Sequence, residues 1–141
     1  MSLFSLTLRV HQVLYERSGG LVGHRLLGVP TLLLRTTGAR SGLTRTNALV
    51  YARDGERYLV VASKGGADQA PGWLHNLRKE PTAEVQIGRE RRRASAAIVG
   101  GDDPDYARVW RIVNDNNGGR YDEYQTRTSR TIPVVALTLQ D

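Results

Sequence analysis

The chain has 141 residues and a mass of 15.6 kDa, 40% of it apolar and 24% charged, which bounds it to one globular domain and excludes a disordered chain. It contains no cysteine, so a disulfide framework and thiolate chemistry are excluded. The net charge of +6 comes from 20 basic residues against 14 acidic ones; apart from Lys64 and Lys79 the basic residues are arginines, whose planar guanidinium suits phosphate and carboxylate partners.

From the start of the chain, Leu3, Leu6, Val10, Val13 and Leu14 recur at helical spacing and predict an amphipathic helix over Met1 to Tyr15. It has two readings: packing on its own domain, or peripheral docking on a membrane or partner surface. It has no basic start, long apolar centre or small-residue cleavage site of the secretory kind, so it is expected to remain on the protein. Gly19, Gly20, Gly23 and Gly28 mark a loop. The expected organisation is a helix and loop over residues 1–28 and one domain over 29–141.

Strand patterning begins at Thr31. Thr31–Thr37 and Asn47–Arg53 are rich in Leu, Val, Thr and Tyr, and Gly38-Ala39-Arg40-Ser41-Gly42 forms a turn between them. Asp54-Gly55 is a hairpin signal leading into Tyr58–Ala62. Pro71 leads into a short helix, Trp73 to Lys79, closed by Pro81. Ala83–Ile87 and Arg92–Val99 follow as strands around Gly88-Arg89. Asp102 is placed to cap a helix from Pro104 to about Asp115, which the Asn- and Gly-rich run through Gly119 breaks. After a tyrosine-bearing stretch, Tyr121 to Arg130, the last strand is Ile132–Leu139. Six strands in largely hairpin-linked order predict a small antiparallel barrel of mainly β, α+β character, not a βαβ fold.

Several chemistries have no support in the sequence. His11, His24 and His75 are scattered, with no second ligand at metal spacing, so no metal site is expected. The nucleophile elbow, the Walker phosphate loop and the dinucleotide fingerprint are all missing. Two loops remain. Gly38 to Arg45 supplies two arginines, hydroxyls and glycines that let backbone amides approach an anion. Ser63-Lys64-Gly65-Gly66, between a strand and a helix, adds a hydroxyl, an ammonium and unhindered backbone donors. Each alone could be a solvated turn; on one small barrel they could form a single anion pocket. Trp73 is either a core residue or a flat wall for a ring system. Tyr121 and Tyr124, three apart after a glycine pair, could share one side of a short helix and act as a lid; a phenol can orient or protonate a substrate oxygen.

These residues carry a resemblance. Leu32 to Gly42 with Arg45 and Asn47, then Val61 to Gly66, Pro71-Gly72-Trp73, Asn76-Leu77 and Arg130-Thr131-Ile132-Pro133-Val134 resemble the deazaflavin-dependent nitroreductase and F420H2-dependent quinone reductase family of actinobacteria. The resemblance covers about Gly28 to Leu139. It implies a split β-barrel, related to flavin-mononucleotide-binding reductases, that binds coenzyme F420, a 5-deazaflavin with a phosphodiester-linked polyglutamate tail. It implies that Arg40, Ser41, Gly42, Arg45 and Lys64 hold the phosphate and acidic tail. Ala62, Ser63, Gly65 and Gly66 would line the ring, with Pro71, Trp73 and Asn76 at its edge. Tyr121, Tyr124 and Ser63 become the candidates for substrate positioning. Where some relatives carry a further aromatic residue, this chain has Asn116-Asn117-Gly118-Gly119, which argues against nitroimidazole activation.

The implied activity is hydride transfer from reduced F420 to a quinone or another electron-poor acceptor, with nitroaromatics as further candidates. The protein is expected to be cytoplasmic, or peripheral at the inner face of the plasma membrane through its first helix. Two alternatives stand beside this reading. One is an FMN-dependent oxidoreductase on the same barrel; FMN has one phosphate and needs fewer cations than the two basic loops supply. The other is a basic barrel for single-stranded nucleic acid, which the 6% aromatic content and lack of an aromatic ladder disfavour, so no nucleic-acid partner is expected.

Overall fold

The computed structural model describes residues 29–140. The amphipathic pattern over Met1 to Tyr15 and the glycine-rich passage after it lie outside the described residues. Seven strands form one antiparallel sheet: β1 (Thr31–Thr37), β2 (Thr44–Val50), β3 (Ala52–Asp54), β4 (Arg57–Val61), β5 (Thr82–Ile87), β6 (Glu90–Val99) and β7 (Val134–Leu139). Their spatial order is β2-β1-β5-β6-β7-β4-β3. The helices are α1 (Gly72–Lys79), α2 (Tyr106–Asn116) and α3 (Arg120–Gln125), with a 3-10 turn at Lys64–Gly66.

The expected second strand, Asn47–Arg53, is divided into two at Tyr51, which accounts for seven strands in place of six. The Tyr51 amide donates to the Pro30 carbonyl (3.0 Å), one step beyond the Thr31–Val50 pair, and the chain then leaves β1 for the β4 ladder. Its ring turns into the core, edge-on to Tyr58 with centroids 5.3 Å apart. Because β2 and β3 sit at opposite ends of the strand order, this one residue spans the two edges of a curled sheet. Strand β2 also approaches β4, closing the sheet into a split barrel.

Side chains alternate across the strands, as a pleat demands. Leu32, Leu34, Val60, Val135 and Leu137 face one core with Trp73, Leu74 and Leu77 of α1. Leu59, Val61, Val134 and Ala136 face a second, against Val109 and Val113 of α2 and Tyr121 of α3. Strands β4 and β7 are therefore buried on both faces, which explains the unbroken apolar run Val134-Val135-Ala136-Leu137. Truncating a residue such as Leu34 or Leu137 to alanine would cost about 2–5 kcal/mol.

Asp102 does not cap α2. Pro104 has no amide hydrogen to offer, so the turn closes through Asp103: its carboxylate accepts from the Asp105 amide (2.8 Å) and its carbonyl from the Tyr106 amide (3.0 Å). The helix proper starts at Tyr106.

Candidate active site

The two loops selected from the sequence do face one cavity system. The turn between β1 and β2 borders a chamber of about 900 Å3, with Arg40, Ser41 and Arg45 on its wall and His75 and Asn76 of α1 opposite. The turn after β4 borders a second chamber of about 340 Å3, closed by Tyr121 and Tyr124 of α3. Asn47, Gly72 and Trp73 belong to both walls, so the chambers adjoin. One half is polar and basic; the other is an apolar slot with few polar groups.

The charge is arranged to match. Arg35, Arg57, Arg91, Arg92, Arg108 and Arg127 are all engaged in ion pairs with carboxylates. Arg40, Arg45 and Lys64 are exposed and have no carboxylate partner among the described residues. Three cations without a carboxylate partner thus lie on the walls of the two chambers, beside other arginines elsewhere on the surface, such as Arg111, that also have none among the described residues.

Asn76 organises the first loop. Buried on α1, its Oδ1 accepts from the Ala39 amide (2.9 Å) and its Nδ2 donates to Thr36 Oγ1 (3.0 Å). Lys79, one helical turn on, donates to the Ala39 carbonyl (2.7 Å). Helix α1 therefore holds the Arg40–Arg45 loop through side chains whose hydrogen bonds are directed into the protein. Gly42 closes the turn, its amide bonding the Gly38 carbonyl (2.9 Å), and lies off the chamber wall.

Ser63, Lys64, Gly65 and Pro71 line the apolar chamber, as expected for the second loop. Ala62 and Gly66 do not: Ala62 is fully buried, and Gly66 is packed against the backbone of Tyr124. Trp73 is at once a core residue, 4% exposed, and the partition between the chambers. Tyr121 and Tyr124 share a side of α3 with their rings 6.1 Å apart, edge to face. Burial, the Tyr124 ring and, in opposition, the Asn117 amide and Arg120 set the Tyr121 phenol; burial dominates and pushes it up to about 12. It stays protonated at neutral pH and remains a hydrogen-bond donor.

Sequence reasoning passed over Asn117 and Arg120, which line the apolar chamber, and His75 of the basic one. The Asn-Gly run reads as a helix breaker, and nothing in it signals that Asn117 is buried. Arg130 was part of the recognised pattern but carried no role, because only the folded chain brings it to the Ser63 turn.

The chambers can be tested for a flat ring with an anionic chain. A Cβ built at Gly65 or Gly72 would meet no atom within 4 Å, so each glycine leaves open space where a side chain would project. Ser63, 8% exposed, has a hydroxyl without a protein partner among the described residues. An apolar slot with an unspent donor, opening onto unpaired cations, fits a ring that bears carbonyls and an acidic tail. No group of three or more potential metal ligands occurs among the described residues.

Fold and site together define a split-barrel protein with a basic chamber beside an apolar one. Over residues 7–139 the chain matches the F420H(2)-dependent quinone reductase family, and it belongs to that family. It is 54% identical over 132 residues to an F420H(2)-dependent quinone reductase of Mycobacterium tuberculosis strain H37Rv, covering 93% of this chain and 89% of that one. A solved F420-H2 dependent reductase superimposes with a TM-score of 0.67 at 35% identity, covering 77% of this chain and 93% of that one. A structure described as a domain-swapped dimer gives 0.69 at 32% identity, covering 92% and 93%.

Proposed function

We propose that the chain binds coenzyme F420 across the adjoining chambers and serves as an F420H2-dependent reductase whose acceptor is a quinone. The observation that carries this reading is that the basic and apolar chambers lie side by side and share Asn47, Gly72 and Trp73 in their walls. When bound, reduced F420 supplies a hydride from C5 of its deazaflavin ring.

Arg40, Arg45, Ser41 and Lys64 would hold the phosphate and carboxylates of the tail; charge-assisted contacts of this kind are each worth about 1.5–3 kcal/mol. Ser63, Gly65, Pro71 and Trp73 would seat the ring. Tyr121 and Tyr124 would cover the acceptor and keep water from the transfer, which gains from a fixed approach and a dry site. The protonated Tyr121 phenol would donate to the acceptor oxygen and supply the proton that completes two-electron reduction. The protein thus binds, orients and protonates, and needs no nucleophile. Nitroaromatics are secondary acceptors on this reading, since Asn116-Asn117-Gly118-Gly119 stands where some relatives carry a further aromatic residue.

No helix among the described residues is long and apolar enough to cross a membrane. A cytoplasmic enzyme is the reading this family supports, with peripheral contact through the segment Met1 to Tyr15 as its alternative. The test is a fluorescence titration with F420, followed by mixing with reduced F420 and menadione while cofactor reoxidation is recorded. Saturable binding and acceptor-dependent reoxidation are expected. Absence of both, or a protein that purifies with tightly bound FMN, overturns the proposal.

A further inference from the structure

The turn after β4 is costly to form. Lys64 has a φ of 45°, and Gly65 and Gly66 follow at 65° and 86°. A side chain resists this left-handed region, so a lysine held there needs outside support.

That support comes from the far end of the chain. Arg130 donates through Nη2 to the carbonyls of Ala62 (3.1 Å) and Ser63 (3.0 Å), and through Nε to that of Ala67 (2.8 Å). Arg127 donates to the Gly65 carbonyl (3.4 Å), and the Ala67 amide to that of Lys64 (3.2 Å). The carbonyls from Ala62 to Gly65, and that of Ala67, are therefore all bonded to the protein itself. By contrast, the amides of Lys64 and Gly65 and the Ser63 hydroxyl have no protein acceptor among the described residues. The turn keeps its acceptors occupied and leaves its donors free, beside a chamber lined by Ser63, Lys64 and Gly65.

We infer that Arg130 is a positioning residue: by gathering the carbonyls of Ala62, Ser63 and Ala67, it fixes the turn so that Ser63, Lys64 and Gly65 offer donors to the carbonyl-bearing, electron-rich edge of a bound ring. Only arginine suits the task. Its five donors lie in a rigid planar fork that serves three carbonyls at once, whereas a lysine ammonium is a single point on a flexible stem. The inference rests on the reading that a deazaflavin is the ligand, but the hold on the turn can be measured without one.

The experiment compares the wild-type chain with Arg130→Ala and Arg130→Lys. In the ligand-free proteins, hydrogen exchange at the Gly66 and Ala67 amides should accelerate about tenfold or more in Arg130→Ala, with β1 and β7 unchanged. F420 affinity should fall about tenfold, and KM for reduced F420 should rise while kcat stays within about threefold. Methylguanidinium at millimolar concentration should restore affinity to Arg130→Ala, and Arg130→Lys should be intermediate. Unchanged exchange at Gly66 and Ala67, affinity within about threefold of wild type, or a loss that methylguanidinium does not restore overturns the inference. Should Arg130→Ala aggregate, Arg130→Met, which keeps the apolar stem and removes every donor, carries the same exchange and affinity criteria. A wild-type chain that fails to bind F420 while the exchange results hold would sink the functional reading and leave the hold of Arg130 on the turn intact.

Discussion

A Cβ placed on Gly66 would lie 2.5 Å from the Tyr124 carbonyl oxygen, so the turn after β4 and the tyrosine helix meet backbone to backbone. That approach sets the depth of the apolar chamber. Gly66→Ala adds a clash that no rotamer relieves, at a φ of 86° that a side chain resists. The substitution is expected to cost about 2 kcal/mol or more and lower the melting temperature by roughly 5 °C or more. A melting point within about 1 °C of wild type would show that α3 yields freely.

Asn76 is satisfied at both ends, by Thr36 and by the Ala39 amide. Asn76→Ala leaves both groups without partners and should cost about 1–3 kcal/mol. It should also loosen the Arg40–Arg45 loop and weaken F420 binding. Asn76→Asp keeps an acceptor for Ala39 but loses the donor to Thr36. An Asn76→Ala variant with unchanged unfolding and affinity would remove the residue from this role.

Arg45→Ala and Lys64→Ala should each weaken F420 binding about tenfold, and should flatten its dependence on salt because fewer charge contacts remain to be screened. Arg111, exposed on α2 and on neither chamber wall, is the control: Arg111→Ala should leave affinity within about twofold. Equal effects at all three positions would mean that net charge, and not placement, draws the ligand.

Tyr121→Phe should lower kcat about a hundredfold or more if the phenol supplies the proton, with little change in cofactor affinity. The native phenol is pushed up from 10.0 to about 12, chiefly by burial. Turnover should therefore show no loss from ionisation of this phenol between about pH 6 and pH 10. Because the folded value is raised, the associated stability is complete below the ordinary phenol value and is lost as pH climbs from 10.0 towards about 12. Ultraviolet titration of tyrosinate should lose one late-titrating phenol in Tyr121→Phe.

Far from the chambers, Asp54 lies between Arg57 and Arg108, whose hydrogen bonds hold its carboxyl well below the usual carboxylate range. This depressed value stabilises the fold at neutral pH, and the gain is lost as pH falls below about 4. Solvent screening keeps it to about 1 kcal/mol. Asp54→Asn should be less stable than wild type at pH 7, and the gap should narrow progressively as pH falls from about 4 towards 2, as read from urea unfolding across that range.

The strands were legible because each carries its own period. Thr31–Thr37 was bounded correctly by composition alone, and Asp54-Gly55 announced its hairpin. The break at Tyr51 was not legible, since the strand-like composition runs through it unchanged and only the folded sheet separates β2 from β3 at opposite ends of the strand order. The basic turn and the Ser63 turn were visible as ingredients, but their meeting across Trp73 is a product of sheet curl. Ala62 and Gly66 show the converse limit. A sequence motif marks them beside Ser63 and Gly65, and only packing decides which neighbours face the chamber and which lie behind its wall.

The single-residue passage at Tyr51 has a consequence for solubility. With β2 and β3 as the outer strands, the barrel is held shut on one side by chain continuity, and β2 is an edge among the described residues. An open edge invites pairing with another chain, and proteins blunt such edges with charge or cover. Here Arg45, Thr46 and Asn47 supply the polarity, and the stretch from Asn47 to Val50 borders the apolar chamber. The residues that line the apolar chamber are thus also residues of the outer strand, so a substitution at positions 47–50 changes the chamber wall and the sheet edge together.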